Sequence, residues 1–301
     1  MTEQPKCIVL VGLPASGKSV YAKKLAQEHN ATIFSSDDLR VELYDDVNCQ
    51  DHNQELFVEL HKRIKDCLRS GKSAIMDSTN LNYKRRMAFL AELKNIPCEK
   101  ICVIMATPYE ECLRRNAERE RKVPEHAIQR MYFNFNIPYW YEGWDDIQVE
   151  YGSYKGCYGK LVNWYHNYKN YHQHNSHHKL TLGEHCHKAA LRIDERGSVE
   201  LICAAYIHDC GKIETATFTN SKGIVTEECH YYNHQYVSGY KALFFDYSHP
   251  LDVAIIVMWH MQPYFWEKDN NEKLHNKYRK LWGEDLYHDV MHLHSADKFA
   301  H

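Results

Sequence analysis

Apolar residues form short unbroken runs in the first half of the chain and helix-spaced patterns in the second. The runs Ile8 to Val11, Thr32 to Phe34, Ser73 to Met76 and Ile101 to Met105 read as buried strands. Amphipathic stretches separate them, and strands alternating with helices predict a parallel α/β sheet over residues 1–155. In such sheets chemistry gathers outside the carboxyl ends of the strands. The segment Tyr151 to Lys160 carries three glycines among polar residues and reads as a boundary. Beyond it, over 166–301, Leu201, Ile202, Ala204, Ala205 and Ile207, and later Val253 to Trp259, follow helical patterns. A second domain is expected there.

Composition sharpens this division. The chain has 301 residues, 44% of them hydrophobic, enough for one large or two ordinary cores. Mean hydropathy is −0.62, and neither an eighteen-residue apolar run nor a charged-then-apolar leader is evident, so a cytoplasmic protein without membrane contact is expected. The 11 cysteines lack C-x-x-C spacing and fit reduced thiols better than a disulfide framework. A net charge of −3 excludes a bulk electrostatic nucleic-acid binder but leaves room for a local basic groove. The 22 tyrosines and 6 tryptophans offer base-stacking platforms, although most such rings serve packing. Histidine is the informative residue: 17 of 21 follow Asn163, so the two halves carry different chemistry.

The first strand runs into Gly12-Leu-Pro-Ala-Ser-Gly-Lys-Ser19, the G-x-x-x-x-G-K-[ST] phosphate-binding pattern, and a helix follows at once. Gly12 and Gly17 let the backbone curl so that amides, including those of Ala15 and Ser16, face phosphate oxygens, aided by the helix N-terminus. Lys18 is expected on the β/γ-phosphates and the Ser19 hydroxyl on Mg²⁺, which makes ATP or another nucleoside triphosphate the ligand. The second strand ends in Ser35-Ser-Asp-Asp-Leu-Arg40, where Asp37 or Asp38 can take a proton from an attacking hydroxyl and Arg40 can hold an anionic group of the acceptor. A Ser/Asp helix cap also accounts for part of this motif. Asp77, in Asp77-Ser-Thr-Asn80, is placed to contact Mg²⁺ through water or to orient the acceptor. The stretch Tyr109 to Pro124 reads as one helix that becomes heavily basic, a lid whose guanidinium groups meet the transferring phosphoryl group.

Together with Arg85-Arg86, Arg115-Asn116, Arg119, Val123-Pro124 and the closing Ile137-Pro138…Glu142-Gly-Trp-Asp-Asp-Ile147, these motifs resemble the polynucleotide 5′-hydroxyl kinases over residues 5–152. The resemblance implies Asp37 as general base, Arg40 on the acceptor's 3′-phosphate and Arg119 as a lid residue on the ATP phosphates, with Arg130 a secondary lid candidate. Small-molecule kinases and seryl-tRNA kinases share parts of the pattern.

In the second half, His208-Asp209 closes a helical pattern, with His185 upstream and Asp297 downstream. His230, His234 and His260 lie between. Adjacent His and Asp both reach a metal where a helix end bends, and Gly211 is expected to supply that bend. Remaining ligands must come from neighbouring helices of a bundle. The pattern resembles the HD superfamily of metal-dependent phosphohydrolases over residues 166–301. That resemblance implies an all-α fold, with His185, His208, Asp209 and Asp297 as ligands of one metal. His234 and His260 fall where two-metal members place extra ligands, and Lys212 matches a phosphate-pairing lysine. The approach from Tyr171 to Thr181 also matches, so His178 is a candidate to assist the site. His172, His174, His177, His187, His230, His292 and His294 are expected to be surface or core residues. Mixed imidazole–carboxylate ligation suits Mn²⁺, Fe²⁺, Co²⁺, Ni²⁺ or Zn²⁺.

A 5′-hydroxyl kinase joined to a hydrolase of 3′-, 2′- or 2′,3′-cyclic phosphates implies nucleic-acid end healing on single-stranded RNA or DNA. Two other readings stay open: a small-molecule or nucleotide kinase with an attached nucleotide phosphohydrolase, and a nucleotide-sensing regulator. The sequence leaves the choice between monomer and homodimer open as well.

Overall fold

The computed structural model describes residues 4–152, 165–166, 168–176, 179–193, 197–268 and 272–300. The chain divides into two compact units, Met1–Ile128 with Pro138–Lys155, and Gln129–Ile137 with Gly156–His301. Most of the boundary segment expected at Tyr151 to Lys160 lies outside the described residues.

The first unit is a five-stranded sheet in the order β2-β3-β1-β4-β5, with β1 Lys6–Val11, β2 Thr32–Ser35, β3 Ala74–Asp77, β4 Glu99–Met105 and β5 Asp146–Glu150. Every pairing is parallel. The central strand β1 is buried from Cys7 to Val11, which is why it reads as a continuous apolar run. The sequence reading lacked β5: Asp-Ile-Gln-Val-Glu alternates polar and apolar residues, as an edge strand does, and only Ile147 is buried. Helices α1 Lys18–His29, α2 Ser36–Tyr44, α3 Asn53–Arg69, α4 Tyr83–Glu92 and α5 Tyr109–Glu118 lie between the strands. In α3, Leu56, Leu60, Ile64 and Leu68 recur every four residues and are all buried.

The expected basic helix from Tyr109 to Pro124 is corrected at its second half. Helix α5 stops at Glu118, and Arg119 takes an extended conformation at φ −79°, ψ 149°. Two physical causes act together. The Asn116 side chain donates to the Val123 carbonyl at 2.8 Å and accepts from the Val123 amide at 2.9 Å, which folds 119–123 into a loop. Pro124 disfavours helix in the residue before it. Arg119 and Arg121 therefore sit on a pinned loop, while Arg114 and Arg115 remain on the helix.

Residues 129–137, expected in the first domain, group with the second unit. There the Tyr132 and Phe135 rings meet Tyr240 at centroid distances of 5.5 and 4.7 Å. Arg130, the secondary lid candidate, belongs to this segment and not to the first unit.

The second unit contains helices Leu182–Arg192, Val199–Ile207, Lys212–Thr215, His234–Ala242, Pro250–Trp259, Gln262–Lys268 and Glu272–Phe299, the last broken by a kink at Gly283 (φ 76°, ψ 170°). It is not all-α. Strands Ala216–Thr219 and Val225–Tyr231 form an antiparallel ribbon. β-Branched and aromatic residues favour extension there, and Gly223, at φ 79°, supplies the turn. Three sequence signals set the helix starts: a capping box between Thr181 and Glu184, a Ser198 cap, and Pro250 in a first turn.

One buried ion pair holds the first unit's closing segment. Arg86 on α4 grips Glu142 through two hydrogen bonds of 2.8 and 2.6 Å, and the Trp144 indole donates to the same carboxylate at 3.0 Å. Both charged side chains are essentially sealed from water. Removing one partner strands the other charge, so Arg86→Ala is expected to cost about 3–5 kcal/mol of stability. Urea denaturation of the purified variant measures this, and a loss under 1 kcal/mol would contradict it.

Candidate functional site

The phosphate-binding loop leaves β1 and enters α1 with two residues in the left-handed region, Ala15 at φ 62° and Gly17 at φ 98°. Gly12 has no room for a side chain: a Cβ there would lie 2.7 Å from Ser16 Oγ and 3.0 Å from Met105 Cβ. The loop is held from both sides. Gly12 N donates to the Thr79 carbonyl at 3.1 Å, and the Thr107 hydroxyl donates to the Ser16 carbonyl at 2.9 Å. Lys18 Nζ lies within the loop, donating to the Gly12 and Leu13 carbonyls at 3.0 and 2.7 Å. Burial pushes its ammonium down to about 8, Asp77 and Asp37 oppose that shift, and Arg119 adds to it. These four residues therefore share one electrostatic neighbourhood. Ser19 is exposed in the first turn of α1, and Asp77 is buried at the end of β3.

The loop after β3 is stapled to the same strand. Asn80, at φ 49°, donates to the Leu10 carbonyl at 2.8 Å, and Arg86 Nη1 donates to the Asn80 carbonyl at 2.9 Å. On α2, Ser35 caps the helix by accepting from the Asp38 amide, so the Asp37 carboxylate has no capping duty. Asp37 instead accepts from Arg121 Nη1 at 2.7 Å. Arg121 also donates to the Val47 carbonyl and Asn48 Oδ1. Arg40 is 5% exposed; its Nη1 donates to the Cys49 carbonyl, and its Nε has no hydrogen-bond partner. Arg119 is exposed at the end of α5.

Two arginines near this crevice escaped the sequence reading as site residues. Arg121 lies two residues beyond Arg119 in the same basic run, where spacing could not separate them. Arg115 Nη1 lies 3.8 Å from where a Gly17 Cβ would be, which sets its guanidinium against the phosphate loop.

In the second unit six buried side chains converge in two groups, His185, His208 and Asp297, and Asp209, His234 and His260. Asp209 joins them. Its Oδ2 lies 3.4 and 3.5 Å from Nε2 of His185 and His208, and its Oδ1 lies 3.1 and 3.6 Å from Nε2 of His234 and His260. Asp297 Oδ1 is 2.9 Å from His185 Nε2 and 3.5 Å from His208 Nε2. Lys212 Nζ sits 2.6 Å from Asp209 Oδ2 and donates to Gln173 Oε1 at 2.8 Å.

The donor chemistry fits a cation. Nδ1 of His208, His234 and His260 faces the carbonyl three residues earlier, at 2.8, 2.7 and 2.6 Å. A carbonyl only accepts, so each Nδ1 carries a proton and Nε2 is the atom turned inward. His234 and His260 then bring their Nε2 atoms within 3.3 Å, a contact that a shared proton or a metal between them satisfies. Charge tells the same story. Burial lowers His185, but hydrogen bonds to Asp209 and Asp297 outweigh it and lift the ring to about 9. For His208, too, burial is outweighed, by Asp209 first, and the ring is raised well above its ordinary value. Burial pushes His260 down to about 4 against the pull of Asp209. Against their own burial, Asp209 is held well below the carboxylate range, chiefly by Lys212, and Asp297 chiefly by His208. The buried aspartates draw positive charge onto His185 and His208, whereas burial keeps His260 neutral.

Gly211 corrects one expectation. Its φ of −74° and ψ of −8° are ordinary for any residue, so it supplies no special bend. What it permits is contact: a Cβ there would lie 2.5 Å from the His234 carbonyl and 2.8 Å from Ser238 N. Among the histidines set aside, His187 faces the Tyr206 hydroxyl, His230 faces Thr226 and His294 faces Glu267. None of them, nor His172, His174 or His292, belongs to a potential metal group among the described residues. His177 and His178 lie outside the described residues. Tyr264, which touches Asp297, carried no sequence signal of its own, and Gln173, which touches Lys212, was marked only as part of the approach from Tyr171 to Thr181.

Comparison with known proteins bears on the first unit. Residues 7–138 match a protein-family model described as an AAA domain. The first unit has the P-loop kinase fold. Over 149 residues the chain is 30% identical to the L-seryl-tRNA(Sec) kinase of Methanococcus maripaludis, spanning 48% of this chain and 58% of that protein. The chain thus covers less than two thirds of this curated relative. Among solved structures, a chain of the Pnkp1/Rnl/Hen1 RNA repair complex is similar at 21% identity and TM-score 0.37, covering 44% of each chain. The APS kinase CysC of Mycobacterium tuberculosis is similar at 17% identity and TM-score 0.38, covering 50% of this chain and 91% of that one. A P-loop kinase domain implies ATP and Mg²⁺ as its ligands. No helix among the described residues is long and apolar enough to cross a membrane.

Because the packing of Asp209 against His234 depends on the close approach at Gly211, Gly211→Ala is expected to overpack this contact. The cost should be about 1–3 kcal/mol. Chemical denaturation followed by the second unit's tryptophans reads it, and an unchanged midpoint would show that the contact is slack.

Proposed function

We propose that the protein heals nucleic-acid ends, phosphorylating 5′-hydroxyls with ATP in its first unit and hydrolysing a terminal phosphate ester in its second. The observation that carries this reading is the pairing, in one chain, of two sites suited to phosphoryl chemistry. One is a P-loop flanked by an uncapped Asp37. The other is a buried cluster of four histidines and two aspartates.

In the kinase reaction Asp37 accepts the proton of the acceptor hydroxyl as its oxygen attacks the γ-phosphorus. Lys18, the loop amides of Gly12 to Ser19, and Arg115 and Arg119 stabilise the charge on the transferring group. Ser19 and Asp77 would hold the Mg²⁺ that accompanies the nucleotide. Arg40 is the acceptor-side cation: it is buried, no carboxylate pairs with it among the described residues, and its Nε lacks a partner. A terminal phosphate supplies the missing anion.

In the second unit, an HD-type phosphohydrolase, His185, His208, Asp209 and Asp297 would hold one divalent metal. His234 and His260 would complete a second site through Asp209. When bound, such a metal acidifies a water and polarises a phosphoryl oxygen. Lys212, already fixed by Asp209 and Gln173, is placed to meet the substrate's phosphate.

The relative from Methanococcus maripaludis favours a second reading of the kinase, in which the acceptor hydroxyl lies on an aminoacylated tRNA instead of a 5′ end. The acceptor decides between them. Incubation with γ-labelled ATP, Mg²⁺ and a short 5′-hydroxyl RNA or DNA should label the oligonucleotide with wild type and lose at least 100-fold in rate with Asp37→Asn. Label on seryl-tRNA alone would favour the second reading. Hydrolysis of a 3′- or 2′,3′-cyclic phosphate should vanish in His208→Ala or after metal chelation, while oligonucleotide labelling by that variant persists. Hydrolysis that survives both treatments would exclude the metal site as its source.

A further inference from the structure

Asp297 has two carboxylate oxygens with different duties. Oδ1 faces His185 and His208 at 2.9 and 3.5 Å, while Oδ2 accepts a hydrogen bond from the Tyr264 hydroxyl at 2.8 Å. We propose that Tyr264 is a positioning residue that fixes the Asp297 carboxylate for metal binding by the His185–His208–Asp297 group and leaves the His234–His260 side unaffected. The inference rests on the metal-binding reading above.

A carboxylate on a helix can swing about its terminal torsion, which is broad. An ionised carboxylate is an acceptor only, so the phenol must donate, and one fixed donor on Oδ2 holds the plane that aims Oδ1 at the two imidazoles. Outer hydrogen bonds of this kind orient ligands and tune affinity. Tyr264 is itself anchored. Its ring meets His294 edge-on at a centroid distance of 4.3 Å and an interplanar angle of 85°. His294 Nε2 lies 2.9 Å from Glu267 Oε1, and Lys298 Nζ is 3.0 Å from Glu267 Oε2. Helix Gln262–Lys268 is thereby tied to helix Glu272–Phe299, one turn before Asp297 and again just after it.

The support is one-sided. Asp209, which the second group shares, takes its orientation from Lys212, not from a phenol. Loss of the Tyr264 hydroxyl should therefore weaken one site selectively, which a general loss of packing would not do.

The test is a titration of the metal-free protein with Mn²⁺ alone, free ion being counted by electron paramagnetic resonance, for wild type, Tyr264→Phe and His234→Ala. The phenylalanine keeps the ring against His294. Tyr264→Phe should weaken one Mn²⁺ site about 10- to 100-fold and leave the other within about threefold. His234→Ala should weaken the opposite one. Equal affinities in Tyr264→Phe and wild type would overturn the positioning role while leaving the metal reading intact. Equal weakening of both sites would also overturn it, by showing a structural role. Absence of Mn²⁺ uptake by wild type would overturn the metal reading and this inference with it.

Discussion

Asp209 is the constraint around which the second unit is arranged. A fully buried carboxylate is costly unless positive charge or donors meet both its oxygens. Here Lys212 takes one side together with His185 and His208, while His234 and His260 take the other. Those partners come from separate helices, so satisfying one carboxylate orders most of the bundle. Each histidine must sit near a helix end to bring its ring in. His208 and His260 follow the last residues of their helices, and His234 and His185 lie in first turns. The tertiary structure and the candidate site are in this sense one problem with one solution.

The first unit solves a different problem, that of holding an irregular loop still. Its phosphate loop is bonded to Thr79 on one side and Thr107 on the other, each at the end of a neighbouring strand. Asn80 and Arg86 extend the same brace to Glu142. A loop so braced presents its amides with little reorganisation, which is where electrostatic stabilisation of a transferring phosphoryl group gains its strength. Arg121 links the loop after α5 to Asp37 and to the segment after α2.

What the sequence made legible follows from how local each signal is. The phosphate loop, the strand runs and the His208-Asp209 pair are contiguous, and the structure puts them at strand and helix ends. Long-range partners have no such signature: Tyr264 on Asp297, Gln173 on Lys212 and Glu142 on Arg86 are separated by 33, 39 and 56 positions. The basic run after Glu118 misled because charge is uniform along it while backbone conformation is not. Asn116 ends the helix through a side chain that composition alone treats as another polar residue. Gly211 was legible as special but for the wrong reason, since a glycine chosen for close packing looks in sequence like one chosen for a turn.

The central proposal is that the residues on the two sides of Asp209 would each hold a metal. The direct measurement is anomalous diffraction at the manganese edge from crystals of the full chain grown with Mn²⁺. The account predicts anomalous density on both sides of Asp209, one peak among His185, His208 and Asp297 and one among His234 and His260. Density elsewhere, or none at Asp209 in crystals that contain the ion, would contradict it.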